Sequence, residues 1–124
     1  FKKYKLENVS IVNIGSIVGI KGFNQLTGYA STKTALEGLT KSLAIELAKD
    51  KIRVNIVNPG FIKTSYFNKF KKNKKLYNWT LQKTPFKKWG ESSDVSELVL
   101  FLLSDKSKYI NGQSINIDGG WTAQ

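Results

Sequence analysis

Cysteine, histidine and methionine are all missing from this chain of 124 residues, proline occurs twice and arginine once. Without cysteine no disulfide framework can form, and the loss of histidine as well removes the usual ligands of a transition metal. A reducing, cytoplasmic setting is the default expectation for such a composition. The longest unbroken apolar run, Leu98 to Leu103, falls far short of the roughly 18 to 20 residues a membrane-crossing helix needs. The basic opening Phe1-Lys2-Lys3-Tyr4-Lys5 is not followed by the apolar core of a secretory signal. A chain that has no methionine and opens on phenylalanine also reads as a piece of something longer.

What is present is ordinary for a folded domain: 40% hydrophobic and 23% charged residues, which argues against disorder. The net charge of +11 rests on nineteen lysines and the single Arg53. Arginine is the better residue for bidentate recognition of phosphate and bases, so a charge made of lysine weighs against a nucleic-acid-binding module. Such a module would use the dense cluster Lys69 to Lys75, with Phe67, Phe70, Tyr77 and Trp79 interleaved. The same cluster reads otherwise as a solvated surface or as an attraction for an anionic partner. Trp79, Trp89 and Trp121 fall in different segments and read as packing or interface residues.

Hydrophobic periodicity divides the chain into a short series of elements. VSIVNIGS (9–16) is β-branched and apolar, as in a strand buried on both faces of a parallel sheet. Residues 28–49 place Leu36, Leu39, Leu43 and Leu47 three and four apart, which predicts a helix with one buried stripe. IRVNIV (52–57) is a second strand, closed by Asn58-Pro59-Gly60. Strand, helix and strand in that order form a βαβ crossover, and so an α/β protein with a parallel sheet. The lysine- and aromatic-rich stretch up to Lys88 predicts one or two short helices on a mobile excursion. Glu91 to Leu103 predicts a helix with Glu91 and Asp94 at its positive end and Val95, Leu98, Val99 and Leu102 inward. QSINID (113–118) is the last strand. Three strands and two long helices leave the strand at 9–16 with a bare edge, again as expected of part of a larger sheet.

Ligands of open α/β sheets bind beyond the carboxyl ends of the strands. Ser16 leaves the first strand there, and the crossover helix begins there with Tyr29 and, four residues on, Lys33. A phenol is a poor acid near neutrality unless a positive charge stabilises its phenolate. Lys33, one turn along the same helical face, can supply that charge. Tyr29 could then give a proton to a carbonyl oxygen or take one from an alcohol, with Ser16 holding that oxygen in line. A carbonyl/alcohol interconversion would still need a hydride carrier such as a nicotinamide. Asn58-Pro59-Gly60 and the hydroxyl of Thr64 mark the second strand end. Taken singly, Ser16 serves equally well as a turn hydroxyl, Thr64 as a helix cap and Gly60 as turn chemistry.

Five motifs in order resemble the short-chain dehydrogenase/reductase family, specifically its C-terminal half. IVNIGS is similar to the family's strand ending in the catalytic serine, with Ser16 thirteen residues before Tyr29. YASTK is similar to its Tyr-x-x-x-Lys signature, and IRVNIVNPGFIKT to its Arg-Val-Asn-x-x-x-Pro-Gly-x-x-x-Thr turn. WGESSDVSELVLFLLSD and YINGQSINIDGGW resemble its closing helix and strand.

The resemblance implies a Rossmann-type doubly wound parallel sheet and an NAD- or NADP-dependent oxidoreductase, similar to 3-oxoacyl-acyl-carrier-protein reductase-like members. It assigns Tyr29 as general acid/base, Lys33 as its partner on the nicotinamide ribose, and Ser16 to the substrate carbonyl. Pro59, Gly60, Ile62 and Thr64 would line the nicotinamide pocket, and residues 65–88 would form the substrate-binding loop. The lysines there suggest an anionic or carrier-bound substrate. A homotetramer or dimer is implied for the whole protein, with no membrane or nucleic-acid partner. Departures are equally plain. The glycine-rich Thr-Gly-x-x-x-Gly-x-Gly motif is absent, GSIVGIKG (15–22) lacks its spacing, and Gly15 stands where the family often has a second serine. Residues 1–124 are thus expected to lack a site for the adenosine half and to be inactive alone, or to be a non-catalytic relic.

Overall fold

Alternation along the β-branched runs settles which side chains meet which layer. The computed structural model describes residues 9–124. Three parallel strands, β1 (Ser10–Ile14), β2 (Arg53–Pro59) and β5 (Ser114–Ile117), lie in the order β1-β2-β5. Ser10 to Ile14 register with Arg53 to Val57, and Ile56 to Pro59 with Ser114 to Ile117. The central strand is buried, with Val54, Ile56 and Val57 all at 0% exposure. Its alternate residues turn to opposite sides. Val54 packs with Ala44, and Asn58 bonds Glu37, both on helix α1 (Thr27–Glu46). Arg53 instead bonds the Leu102 and Ser104 carbonyls at the end of helix α4 (Ser92–Leu103). The sheet is therefore covered by α1 on one side and α4 on the other, an α/β architecture of Rossmann type.

The predicted elements form within a few residues of their expected ends. Two details differ. The turn residues Asn58 and Pro59 lie within β2, paired with Asn116 and Ile117. Proline is tolerated because its nitrogen falls on the side of β1, which has ended at Ile14, while the next amide, Gly60 N–H, reaches the Ile117 carbonyl at 3.0 Å. The leucine stripe of α1 is also not its deepest line: Leu39 is 48% exposed, whereas Thr40 and Ala44 are buried. Thr40 is held inward because its hydroxyl accepts from Asn13 Nδ2 at 2.9 Å.

Residues 65–88 carry two helices, α2 (Phe67–Lys71) and α3 (Lys74–Lys83). A two-residue parallel pair that sequence periodicity is too short to reveal, β3 (Ile62–Lys63) with β4 (Gly90–Glu91), brackets them. The α4 N-terminus carries a capping box between Glu91 and Asp94. Among the described residues no helix is long and apolar enough to cross a membrane.

Candidate active site

At the carboxyl end of β1 the chain passes close under Asn58. Gly15 N–H donates to the Val57 carbonyl at 2.8 Å, and a Cβ on Gly15 would stand 1.9 Å from Asn58 Oδ1. A side chain there would have to displace the Asn58 amide. Ser16 follows in extended conformation, its N–H donating to Asn58 Oδ1 at 3.1 Å. Its Oγ accepts the Val18 N–H at 3.2 Å, which opens the 3₁₀ turn Ile17–Gly19. That bond uses oxygen lone-pair density and leaves the hydroxyl proton for donation. The turn function expected of Ser16 and a role toward a substrate oxygen are thus compatible.

The loop beyond Ser16 rests on α1 at the height of Lys33. A Cβ on Gly19 would lie 2.8 Å from the Lys33 carbonyl carbon, and Thr34 Oγ1 donates to the Gly19 carbonyl at 2.9 Å. Lys33 Nζ donates to the Ile14 carbonyl at 2.9 Å and lies 5.6 Å from the centroid of the Tyr29 ring. Tyr29, at 47% exposure, stands one helical turn before it and is open to an incoming molecule. Lys33 thus links Tyr29 to the end of β1, two residues before Ser16.

The second strand end holds the other expected residues. A Cβ on Gly60 would sit 2.8 Å from the Asp118 Cα, so glycine is what lets β2 and the end of β5 approach. In the β3–β4 pair, the Phe61 carbonyl accepts Gly90 N–H and the Lys63 carbonyl accepts the Ser92 hydroxyl. By strand alternation the backbone groups of Ile62 point away from β4. The Thr64 carbonyl closes the next turn by accepting Phe67 N–H at 2.9 Å, leaving its exposed hydroxyl outside that turn. Pro59, Ile62 and Thr64 border one apolar hollow with Val95, Val99 and Leu100 of α4. Beside Gly60, burial pushes the Asp118 carboxyl up. Bonds from the Thr122 hydroxyl and N–H and the Gly120 N–H outweigh that and hold it below the usual carboxylate range.

Sequence reasoning missed how residues 65–88 are anchored. Trp89, 5% exposed, has Phe61, Phe67, Phe70 and Tyr77 around it at ring separations of 4.9 to 5.7 Å. Its Nε1 donates to the buried Thr80 hydroxyl at 2.7 Å. Trp121 stacks on Phe23 from the loop after Ser16 and meets Trp79 of α3 edge-on. The three tryptophans serve packing, as expected, but they unite segments that the sequence separates. Phe67, Phe70 and Tyr77 face this cluster, while Lys69, Lys71, Lys72, Lys74 and Lys75 stay exposed. Nothing in the motif Asn58-Pro59-Gly60 signals the bonds that Asn58 makes to three other elements.

A parallel α/β sheet with a Tyr/Lys pair and a serine at its carboxyl end defines a class of nucleotide-dependent oxidoreductase folds. The family model described as "Enoyl-(Acyl carrier protein) reductase" matches residues 1–122. This chain belongs to the short-chain dehydrogenase/reductase family. It is 45% identical over 116 residues to the 3-oxoacyl-[acyl-carrier-protein] reductase FabG of Thermotoga maritima, covering 94% of this chain and 46% of that one. It is 42% identical over 113 residues to a tropinone reductase homolog of Arabidopsis thaliana, covering 91% and 43%. Among solved structures, a 4-hydroxyisoleucine dehydrogenase complexed with NADH matches with a TM-score of 0.94 and 36% identity, over 99% of this chain and 50% of that one. An Agrobacterium tumefaciens protein described as a 2-deoxy-d-gluconate 3-dehydrogenase, with bound NADP, matches at 0.90 and 34%, over 93% and 47%. The chain spans about half the length of the curated relatives it matches.

Proposed function

We propose that these residues are the catalytic half of an NAD- or NADP-dependent oxidoreductase that interconverts a ketone and a secondary alcohol. The observation that supports this reading is Lys33 Nζ, bound to the Ile14 carbonyl two residues before Ser16 and 5.6 Å from the Tyr29 ring centroid. A nicotinamide supplies the hydride in the reducing direction. Its pocket fits the residues present: Gly60 admits no Cβ, Ile62 turns its backbone outward, and the Thr64 hydroxyl is exposed.

In reduction Ser16 donates its hydroxyl proton in a hydrogen bond to the substrate oxygen and orients it. Tyr29 gives that oxygen its proton as the alcohol forms. Lys33 stabilises the negative charge left on the phenolic oxygen, and in oxidation each step runs in reverse. The residues that would hold the adenosine half, absent from this sequence, lie in the complementary half of the family's fold. Residues 1–124 alone are therefore expected to be inactive.

Tyr29→Phe removes the transferable proton with almost no change of shape. In an enzyme completed with the N-terminal half of the Thermotoga maritima relative, turnover is expected to fall by about 10²- to 10⁴-fold. Near-normal turnover would sink the assignment, and a completed wild type with no nicotinamide-dependent turnover would favour a relic.

Within this reading the substrate is anionic or carrier-bound. Between residues 62 and 90 the chain has nine lysines and no acidic residue, and those from Lys69 to Lys75 all lie exposed. The 3-oxoacyl-[acyl-carrier-protein] reductases among the relatives support the same class. Reversing Lys71, Lys72, Lys74 and Lys75 to glutamate is expected to raise KM for a carrier-bound substrate at least about tenfold at low salt, an effect that added salt masks. An unchanged KM would count against it.

A further inference from the structure

We infer that Asn58 is a positioning residue that keys the Ser16 hydroxyl to the helix carrying Tyr29 and Lys33. This rests on the catalytic reading of Ser16 given above. Asn58 is 1% exposed, and every polar atom of its side chain is engaged. Its Nδ2 donates to Glu37 Oε1 at 2.9 Å and Ser114 Oγ at 2.8 Å, with Asn116 Oδ1 farther off at 3.4 Å. With acceptors on that side, only Oδ1 can face β1, where it accepts the Ser16 N–H at 3.1 Å.

Glu37 lies four residues beyond Lys33 and eight beyond Tyr29, so all three share one face of α1. Glu37 Oε1 also accepts from Ser114 Oγ at 2.9 Å, which fixes the carboxylate between α1 and β5. The route from the serine to the Tyr/Lys helix is thus two hydrogen bonds long, through one buried amide. Alanine at 58 would remove both bonds, and aspartate would place a second carboxylate against Glu37. Gly15 is the sterically matched partner, because any Cβ there would enter the volume of Asn58 Oδ1. Gly15 and Asn58 are therefore sterically coupled in this chain.

The test is a double-mutant cycle in the completed enzyme. Ser16→Ala removes the hydroxyl, and Asn58→Ala removes what holds it. Asn58→Ala alone is expected to lower kcat about 10- to 100-fold, the scale of a misplacement near 1 Å, with KM for the nicotinamide within about twofold. In the Ser16→Ala background the same change is expected to cost less than about threefold, because both act through one group. Gly15→Ala forces the same contact apart from the other side and is expected to show the same dependence on Ser16, so the cycle survives if Asn58→Ala does not fold. A loss of more than about tenfold in both backgrounds overturns the inference and leaves the catalytic assignment standing. Normal turnover of Ser16→Ala by itself overturns the catalytic assignment, and the inference falls with it.

Discussion

Nineteen of the twenty basic residues are lysine, so the one arginine invites a direct perturbation. Arg53 opens β2 and turns its guanidinium toward the end of α4. Nη1 donates to the Leu102 carbonyl at 2.8 Å and Ser107 Oγ at 3.0 Å, and Nη2 donates to the Ser104 carbonyl at 3.1 Å. These are among the orphan carbonyls of a helix C-terminus, where a cation also meets the negative end of the dipole. A hydrogen bond from a charged donor is worth about 1.5–3 kcal/mol and the dipole term about 0.3–1 kcal/mol.

The acceptors keep other donors. Ser10 Oγ and Ser107 Oγ reach the Leu102 carbonyl, and Ser107 Oγ also reaches that of Ser104. Three bonds therefore do not add, and Arg53→Met is expected to cost about 2–3 kcal/mol. Arg53→Lys keeps the charge but cannot fork, so it is expected to cost about 1–2 kcal/mol. Urea unfolding followed by far-ultraviolet circular dichroism checks the order wild type, lysine, methionine, at constant slope. If Arg53→Lys matches wild type within about 0.5 kcal/mol, the fork geometry contributes nothing. If Arg53→Met does so too, the bonds are not stabilising at all.

Two further outcomes are expected. Thr80→Val keeps the side-chain shape but takes the acceptor from the buried Trp89 Nε1–H, so stability is expected to drop by about 1–3 kcal/mol and the Trp89 indole proton to shift in NMR spectra; an unmoved indole signal with unchanged stability would refute this. Asp118, whose folded carboxyl lies below its ordinary value, binds protons less readily folded than unfolded. Its contribution is therefore complete above the unfolded value near 4 and is lost as pH falls through the lower folded one. Asp118→Asn is expected to flatten the acid limb of the stability curve below about pH 4, and an identical limb in both proteins would contradict the assignment.

The fold was legible wherever one period ran long enough to count. Val54, Ile56 and Val57 lie in a β-branched run, and Val95, Leu98, Val99 and Leu102 repeat at helical spacing; in both cases local pattern and burial agree. It was not legible where an element is two residues long, as in β3 and β4, because no period can be read over such a length. Leu39 shows a subtler limit. Spacing identifies which residues share a face of α1, but contact with the sheet belongs to Thr40, whose hydroxyl has Asn13 to bond. Here a polar residue with a partner in the sheet lies deeper than the apolar one beside it.

The same limit divides the site. Ser16, Tyr29 and Lys33 can be proposed from the sequence because each bears its chemistry on its own side chain and topology carries their three positions toward one sheet end. Asn58 could not, since its part depends on what surrounds it: an amide is informative only once its donors and acceptors are counted. That count ties Gly15 to Asn58 through a clearance of 1.9 Å, a relation between residues 43 positions apart that no local spacing encodes. The aromatic cluster follows the same logic. Phe67, Phe70 and Tyr77 alternate with lysines in a pattern that a stacking surface for nucleic acid would also show. Their rings instead close around Trp89, while the lysines from Lys69 to Lys75 stay exposed beside the outward rings of Tyr66 and Trp79.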